Sequence, residues 1–91
     1  MAEVKAKTEF IHVVKRSCLA LVAPSRNEKG CLGYNLHQST ENPNLFVFFE
    51  SWETMEDLEH HLESPSALVF DEKTAGMLIE PERIIYLEKI S

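Results

Sequence analysis

Residues 44–65, NLFVFFESWETMEDLEHHLESP, decide the reading of this chain. An apolar and aromatic run, Leu45–Phe49, leads through Glu50 and Ser51 to Trp52, the only tryptophan. A run of this length behind a turn-rich loop reads as a strand over Leu45–Trp52. Thr54 and Asp57 then stand in T-x-x-D spacing, a capping box with aspartate as the shorter partner, so a helix starts at once. Met55, Leu58 and Leu62 recur at helical spacing and form its apolar stripe. The unit carries two of the four histidines, His60 and His61. Chemistry, if the chain performs any, is expected here.

The flanking segments read as partners for this unit. Upstream, Cys31–Gln38 alternates as a strand, with Leu32, Tyr34 and Leu36 on one face and Cys31, Gly33, Asn35 and His37 on the other. Ser39–Asn44, rich in turn formers, makes a hairpin loop between the two strands. Before it, Phe10, Val13, Val14, Ser17, Cys18, Leu21 and Val22 recur at three- and four-residue steps, which predicts a helix with Thr8 as N-cap and Pro24 either ending it or leaving only a loose last turn. Val4 and Ala6, alternating with lysines, suggest a short first strand over Glu3–Lys7. Downstream, Ser64 and Pro65 restart a helix as N-cap and first helical residue. Ala67, Phe70, Thr74 and Met77 make its inner face, and Pro81 precedes a last strand over Arg83–Ile90. The order is strand, helix, strand, strand, helix in two pieces, strand. That is an α+β ferredoxin-like sandwich, an antiparallel sheet with its helices on one face, in a single domain over residues 1–91.

Both faces of this sheet are apolar. Phe46 and Phe48 oppose Leu45, Val47 and Phe49, and Ile84 and Tyr86 oppose Ile85 and Leu87. Two helices cover one face only, so the other needs a second chain. The expectation is a homodimer with sheets packed face to face.

Composition narrows the partners. A net charge of −6 leaves no basic footprint for nucleic acid or an anionic membrane surface. No apolar run approaches the ~18 residues of a membrane span. The N-terminus lacks the apolar core of a signal peptide, so a cytoplasmic protein is expected. The two cysteines, Cys18 and Cys31, have no C-x-x-C spacing and read as free thiols.

The candidate site residues each carry two readings. His60 and His61 point about 100° apart and cannot share a metal, and no H-E-x-x-H spacing exists. His60 faces water. His61 lies on the flank of the apolar stripe, four residues after Asp57, which is placed to orient its ring. It is either a structural histidine at a core boundary or a site group. Trp52 is either a core anchor or a wall that stacks on a flat ligand. Glu50 shares its strand face with Trp52 and Phe48 and must be paired, capped or protonated among aromatics. Asn35 and His37 share a face with Gly33, where the missing side chain leaves room for a ligand or a partner backbone. No nucleophilic triad, phosphate loop, dinucleotide or flavin fingerprint is present.

The segment GCLGYNLHQSTENPNLFVFFESWETMEDLEHHLESP, residues 30–65, resembles the antibiotic biosynthesis monooxygenase (ABM) domains. The resemblance rests on Gly30-Cys31, Tyr34-x-Leu36, Asn42-Pro43, Glu50-x-Trp52, His61-Leu62 and Ser64-Pro65, and extends over about residues 10–90. It implies a dimeric α/β barrel of ferredoxin-like protomers with a pocket between each sheet and its helices. It also implies oxygenation of quinols, anthrones and related aromatics with no flavin, metal or other cofactor, because the substrate anion itself reduces O₂. In that scheme His61 and Trp52 are the catalytic candidates, as base or proton relay and as stacking wall. Tyr34, Asn35, His37, Phe48 and Glu50 are the candidate substrate contacts. Three features depart from the pattern. Ser66-Ala67 stands where many relatives have His-Phe. The first strand is short. The Asn/Trp/His set of the haem-degrading branch falls at His61 and near Asp71 and is not reproduced.

Three functions therefore compete: a cofactor-independent monooxygenase of a small aromatic molecule, an isomerase of a small carbonyl or phosphorylated metabolite, and a non-catalytic, stress-responsive ligand-binding dimer. The isomerase requires a cationic anchor, for which Arg26 and Arg83 are the non-lysine candidates.

Overall fold

A computed structural model describes residues 1–91. The chain runs β1 (Ala2–Lys5), a single 3₁₀ turn (Thr8–Phe10), α1 (Ile11–Arg26), β2 (Cys31–Gln38), β3 (Leu45–Trp52), α2 (Met55–Leu62), α3 (Pro65–Thr74) and β4 (Arg83–Ile84). The four strands form one sheet in the order β2-β3-β1-β4, with every neighbouring pair antiparallel. This is the ferredoxin-like α+β arrangement. β2 and β3 keep the bounds that alternation and turn residues predict. Ser39 Oγ accepts from the amides of Glu41 and Asn42, and Asn42 Oδ1 accepts from the amide of Asn44, which closes the hairpin between them.

The core lies between the sheet and α1 and α3. Ala2, Val4 and Ala6 of the first strand region, Val14, Cys18 and Leu21 of α1, Tyr34 of β2, Phe46 and Phe48 of β3 and Phe70 of α3 are all buried. Phe46 and Phe48 are each 1% exposed whereas Phe49, one residue on, is 50% exposed. The two apolar faces read from β3 are thus real: one is the core and the other is open.

Several expectations about the elements need correction. Thr8 does not cap α1. A 3₁₀ turn precedes the helix, and the Thr8 hydroxyl instead accepts from Asn44 Nδ2, tying the hairpin to the entry of α1. Pro24 sits in the last turn of α1, the second of the two placements expected for it. There its missing N–H costs only the bond to Ala20, an exposed position. A register shift between Cys31 and Gly33 inverts the start of β2. Cys31 then faces Trp52 across the pair and packs on the core, while Leu32 is 69% exposed. The last strand is two residues long, Arg83–Ile84 paired with Glu3 and Ala2, with one further backbone exchange between Ile85 and Met1, in place of the run to Ile90 that was expected.

The inner face of α2 also differs from its apolar stripe. Thr54 caps the helix, its hydroxyl accepting from the Asp57 amide. The buried residues of α2 are Asp57 and His61, while Met55 is 56% exposed. The Asp57 edge of α2 packs onto the turn after α1, where Gly30 has a φ of +80° and offers no side chain. Met55, Leu58 and Leu62 turn away from this contact and line a cavity.

Candidate active site

β1 pairs with β3 over Leu45–Phe48, so Phe49–Trp52 continue past that pairing. Beside this stretch a cavity of about 450 Å³ opens. Phe49 and Ser51 reach it from the open face of the sheet, and Glu50 and Trp52 from the helix-covered face. The tail residues Ile84–Leu87 and the α2 residues Met55, Leu58 and Leu62 complete its apolar wall. The pocket therefore lies at the end of the sheet rather than wholly between sheet and helices.

Behind this wall lies a chain of polar contacts. Trp52 Nε1 donates to Glu50 Oε1 at 3.1 Å. His61 Nε2 stands 3.7 Å from the same oxygen, beyond hydrogen-bond length. His61 Nδ1 lies 2.7 Å from Glu28 Oε1. An ionised carboxylate only accepts, so Nδ1 carries the proton that makes this bond and Nε2 is the nitrogen turned toward Glu50. The imidazole is sandwiched by rings: Trp52 lies at 4.8 Å between centroids with planes tilted by 31°, and Tyr34 meets it edge-on at 5.3 Å. The His61 side chain is 5% exposed and that of Glu50 8%. Glu50 at this depth, and the partly exposed Glu28, need the imidazole and indole N–H groups beside them.

Glu28 was not apparent from the sequence. It lies 33 residues before His61 in a polar turn, and no spacing rule joins the two. The partner expected for His61, Asp57, makes no contact with the imidazole; it faces Gly30 instead. A side chain four residues earlier on a helix reaches its neighbour only when both point to the same free space, and here the α1–β2 turn occupies it.

The other candidates divide by location. Glu50, Trp52 and Asn35 line the cavity, as does Gly33. Tyr34 and Phe48 are buried in the core, their rings 5.3 Å apart, and do not line it. His37 lies on the open sheet face against the edge of Phe49 at 5.2 Å, also outside the cavity. His61 itself is behind Trp52 and Glu50, so a ligand reaches it through them. No three His, Cys, Asp or Glu side chains converge in a geometry that would hold a metal ion.

The electrostatics of the neighbourhood are negative. Burial, then Asp71, then Glu50 push the Glu82 carboxyl up to about 7. Burial pushes the Cys18 thiol up to about 12, with Glu82 adding to it. The Tyr34 hydroxyl is raised chiefly by burial and next by Glu50, while neighbouring Ser25 works in the opposite direction. Ser25 Oγ, though wholly buried, makes no hydrogen bond of good geometry. Cys31 is raised as well, by burial first. Neither thiol, both free, is poised as a nucleophile.

Fold and site together define a small ferredoxin-like α+β domain with an aromatic, carboxylate-bearing cavity at the end of its sheet. Residues 1–73 match the antibiotic biosynthesis monooxygenase family, and the chain belongs to it. The structure superposes on that of PA3566 from Pseudomonas aeruginosa with a TM-score of 0.92 at 33% identity, covering 99% of this chain and 90% of that one. Protein sll1783 of Synechocystis is 33% identical over 78 residues, which are 86% of this chain and 50% of the relative. Rv0793 of Mycobacterium tuberculosis is 31% identical over 68 residues, 75% of this chain and 66% of the relative. The chain thus spans half to about two thirds of these curated relatives. No helix is long and apolar enough to cross a membrane.

Proposed function

We propose that this protein is a cofactor-independent monooxygenase that oxidises a small aromatic diol or quinol with O₂. The observation that carries the reading is the contact chain Glu28–His61–Glu50–Trp52, which ends at the apolar cavity. Family membership supports the reaction class, and the cavity wall supports a flat apolar substrate. The substrate ring stacks against Trp52 with a hydroxyl toward Glu50. Its proton passes to the Glu50–His61 pair, and Glu28 holds the imidazole so that Nε2 is the receiving nitrogen. A phenol ionises near ~10 in water, so an acceptor at the cavity wall is what makes the anion available at neutral pH. The anion reduces O₂. One oxygen atom enters the ring, the other leaves as water, and the substrate supplies all the electrons, which is why no external reductant is required.

The isomerase reading loses its anchor. Arg26 donates to the Tyr34 carbonyl and to Asn35 Oδ1, Arg83 faces Glu3 at 3.9 Å, Arg16 lies by a separate cavity between α1 and α3, and none of the three arginines lines this one. The test of the oxygenase is an oxygen-electrode screen over hydroquinones and anthrones with the native protein, His61→Ala and His60→Ala. His60 is exposed on the far side of α2. The expected result is O₂ uptake that falls by ~10²-fold or more in kcat/KM for His61→Ala, the usual scale of acid–base assistance, and is unchanged for His60→Ala. Equal losses in both variants, or none in either, would remove His61 from the mechanism; no uptake with any substrate would remove the oxygenase.

A further inference from the structure

The cavity has a sign as well as a shape. Two carboxylates line it, Glu50 and the exposed Glu53, and no Lys, Arg or His side chain does. The Met1 amine, also on its wall, donates to the neutral Ile85 carbonyl at 3.0 Å and keeps its positive charge, so the two carboxylates outnumber it by one. Behind Glu50, the Glu28–His61–Glu50 cluster contains two carboxylates and one imidazole, so its charge is negative whether or not the imidazole is protonated. Burial is the first cause of the raised Glu82, Tyr34 and Cys31 groups, and the Glu50 charge adds to each. The aromatic faces point the same way. Trp52, Phe49 and Tyr86 line the cavity, and aromatic faces attract cations. The whole chain, at −6, repels anions before they arrive.

We propose that the ligand of this cavity is a small aromatic amine, its ring against Trp52, its hydroxyl toward Glu50 and its ammonium group beside Glu53, and that carboxylate- or phosphate-bearing aromatics are excluded. The inference rests on the cavity being the site of the proposed oxygenation and names the substrate class for it.

Trp52 makes a direct test possible. It is the sole tryptophan and it lines the cavity, so its fluorescence reports occupancy whether or not turnover follows. Three catechols of similar size differ only in tail charge: dopamine, 4-ethylcatechol and 3,4-dihydroxyphenylpropionate. Titrated without oxygen at low salt, they are expected to bind in that order of decreasing affinity. Unit charges ~5 Å apart, even at the dielectric of bulk water, differ by about fourfold in binding at each step. The spread should contract at high salt. Glu53→Gln should reduce the dopamine preference over 4-ethylcatechol, whereas Glu41→Gln, an equal change in net charge on the exposed hairpin loop, should leave it unaltered. The proposal is overturned if the carboxylate binds as tightly as dopamine, if the two variants behave alike, or if none of the three quenches Trp52. The two readings fail separately. The predicted binding order without O₂ uptake refutes the oxygenase and supports the charge preference. Uptake with all three at similar affinity does the reverse.

Discussion

Gly30 is the hinge on which the site's geometry is expected to turn. It closes the turn after α1, with φ +80°, two residues past Glu28. A methyl group there would sit 2.7 Å from Asp57 Cβ and overlap the Asp57 carboxylate. Asp57 is 6% exposed and has little room to retreat. Gly30→Ala therefore carries two costs. A left-handed backbone costs an L-residue ~1–2 kcal/mol, and forcing extra volume into a packed contact costs ~1–3 kcal/mol more. Gly76 supplies the control. Its φ is +78°, but nothing lies within 4 Å of where its Cβ would be, so Gly76→Ala carries the backbone cost alone. At ~4–8 °C per kcal/mol for a domain of this size, Gly30→Ala should lower Tm by about 8–40 °C and Gly76→Ala by about 4–16 °C. Paired thermal melts and urea titrations measure the difference. Adding Asp57→Ala to Gly30→Ala should recover part of the loss, since the carboxylate overlap is gone. The reasoning is refuted if Gly30→Ala costs no more than Gly76→Ala, or if the double variant is simply additive.

Two further outcomes can be checked on the same samples. Because the folded Glu82 carboxyl sits at about 7, above its ordinary 4.5, folding takes up a proton between those values; stability from this group is complete below pH ~4.5 and is lost as pH rises through about 7. Glu82→Gln, neutral at every pH, should therefore stabilise the protein by about 1–2 kcal/mol at pH 8, after discounting for partial exposure, and do little at pH 4.5; equal effects at both pH values would contradict the assignment. The open sheet face, with Phe49 at 50% exposure and His37 beside it, should be covered by a second copy of the chain, so light scattering at micromolar concentration is expected to return twice the 10.4 kDa monomer mass; a monomer would sink the homodimer.

What could be read from the sequence was polarity and period; what could not was the partner of each side chain. β2 and β3 were legible because a turn-rich loop separates two alternating runs, and period alone sets their bounds. Leu32 was misassigned because one shifted residue inverts a strand's faces, and an irregularity of register leaves no mark in composition. The tail was overextended for a related reason. Ile84–Leu87 alternates like a strand, but a strand exists only where a neighbour pairs, and β1 pairs with Arg83 and Ile84 alone, with one further exchange at Ile85. His61 and Trp52 each stood out in the sequence, but their contact with one another did not. Glu28 was invisible because its contact with His61 joins segments 33 residues apart through a turn whose composition is ordinary.

The stripe of α2 shows why an apolar pattern alone could not locate the site. Met55, Leu58 and Leu62 have the spacing of a core-facing helix, yet the helix buries Asp57 and His61. Burial of two polar residues on an eight-residue helix is tolerable because α2 is capped by Thr54, His61 has the Glu28 carboxylate, and Gly30 admits Asp57. With those contacts made, the apolar side chains are free to face the cavity. The same holds for Ile84–Leu87, whose apolar residues wall the cavity instead of extending the sheet. A hydrophobic stripe states that a surface avoids water; whether a core or a ligand covers it is decided by which polar groups find partners on the opposite side. In this chain the polar side of α2 is the one with partners, and the apolar side is left for a ligand.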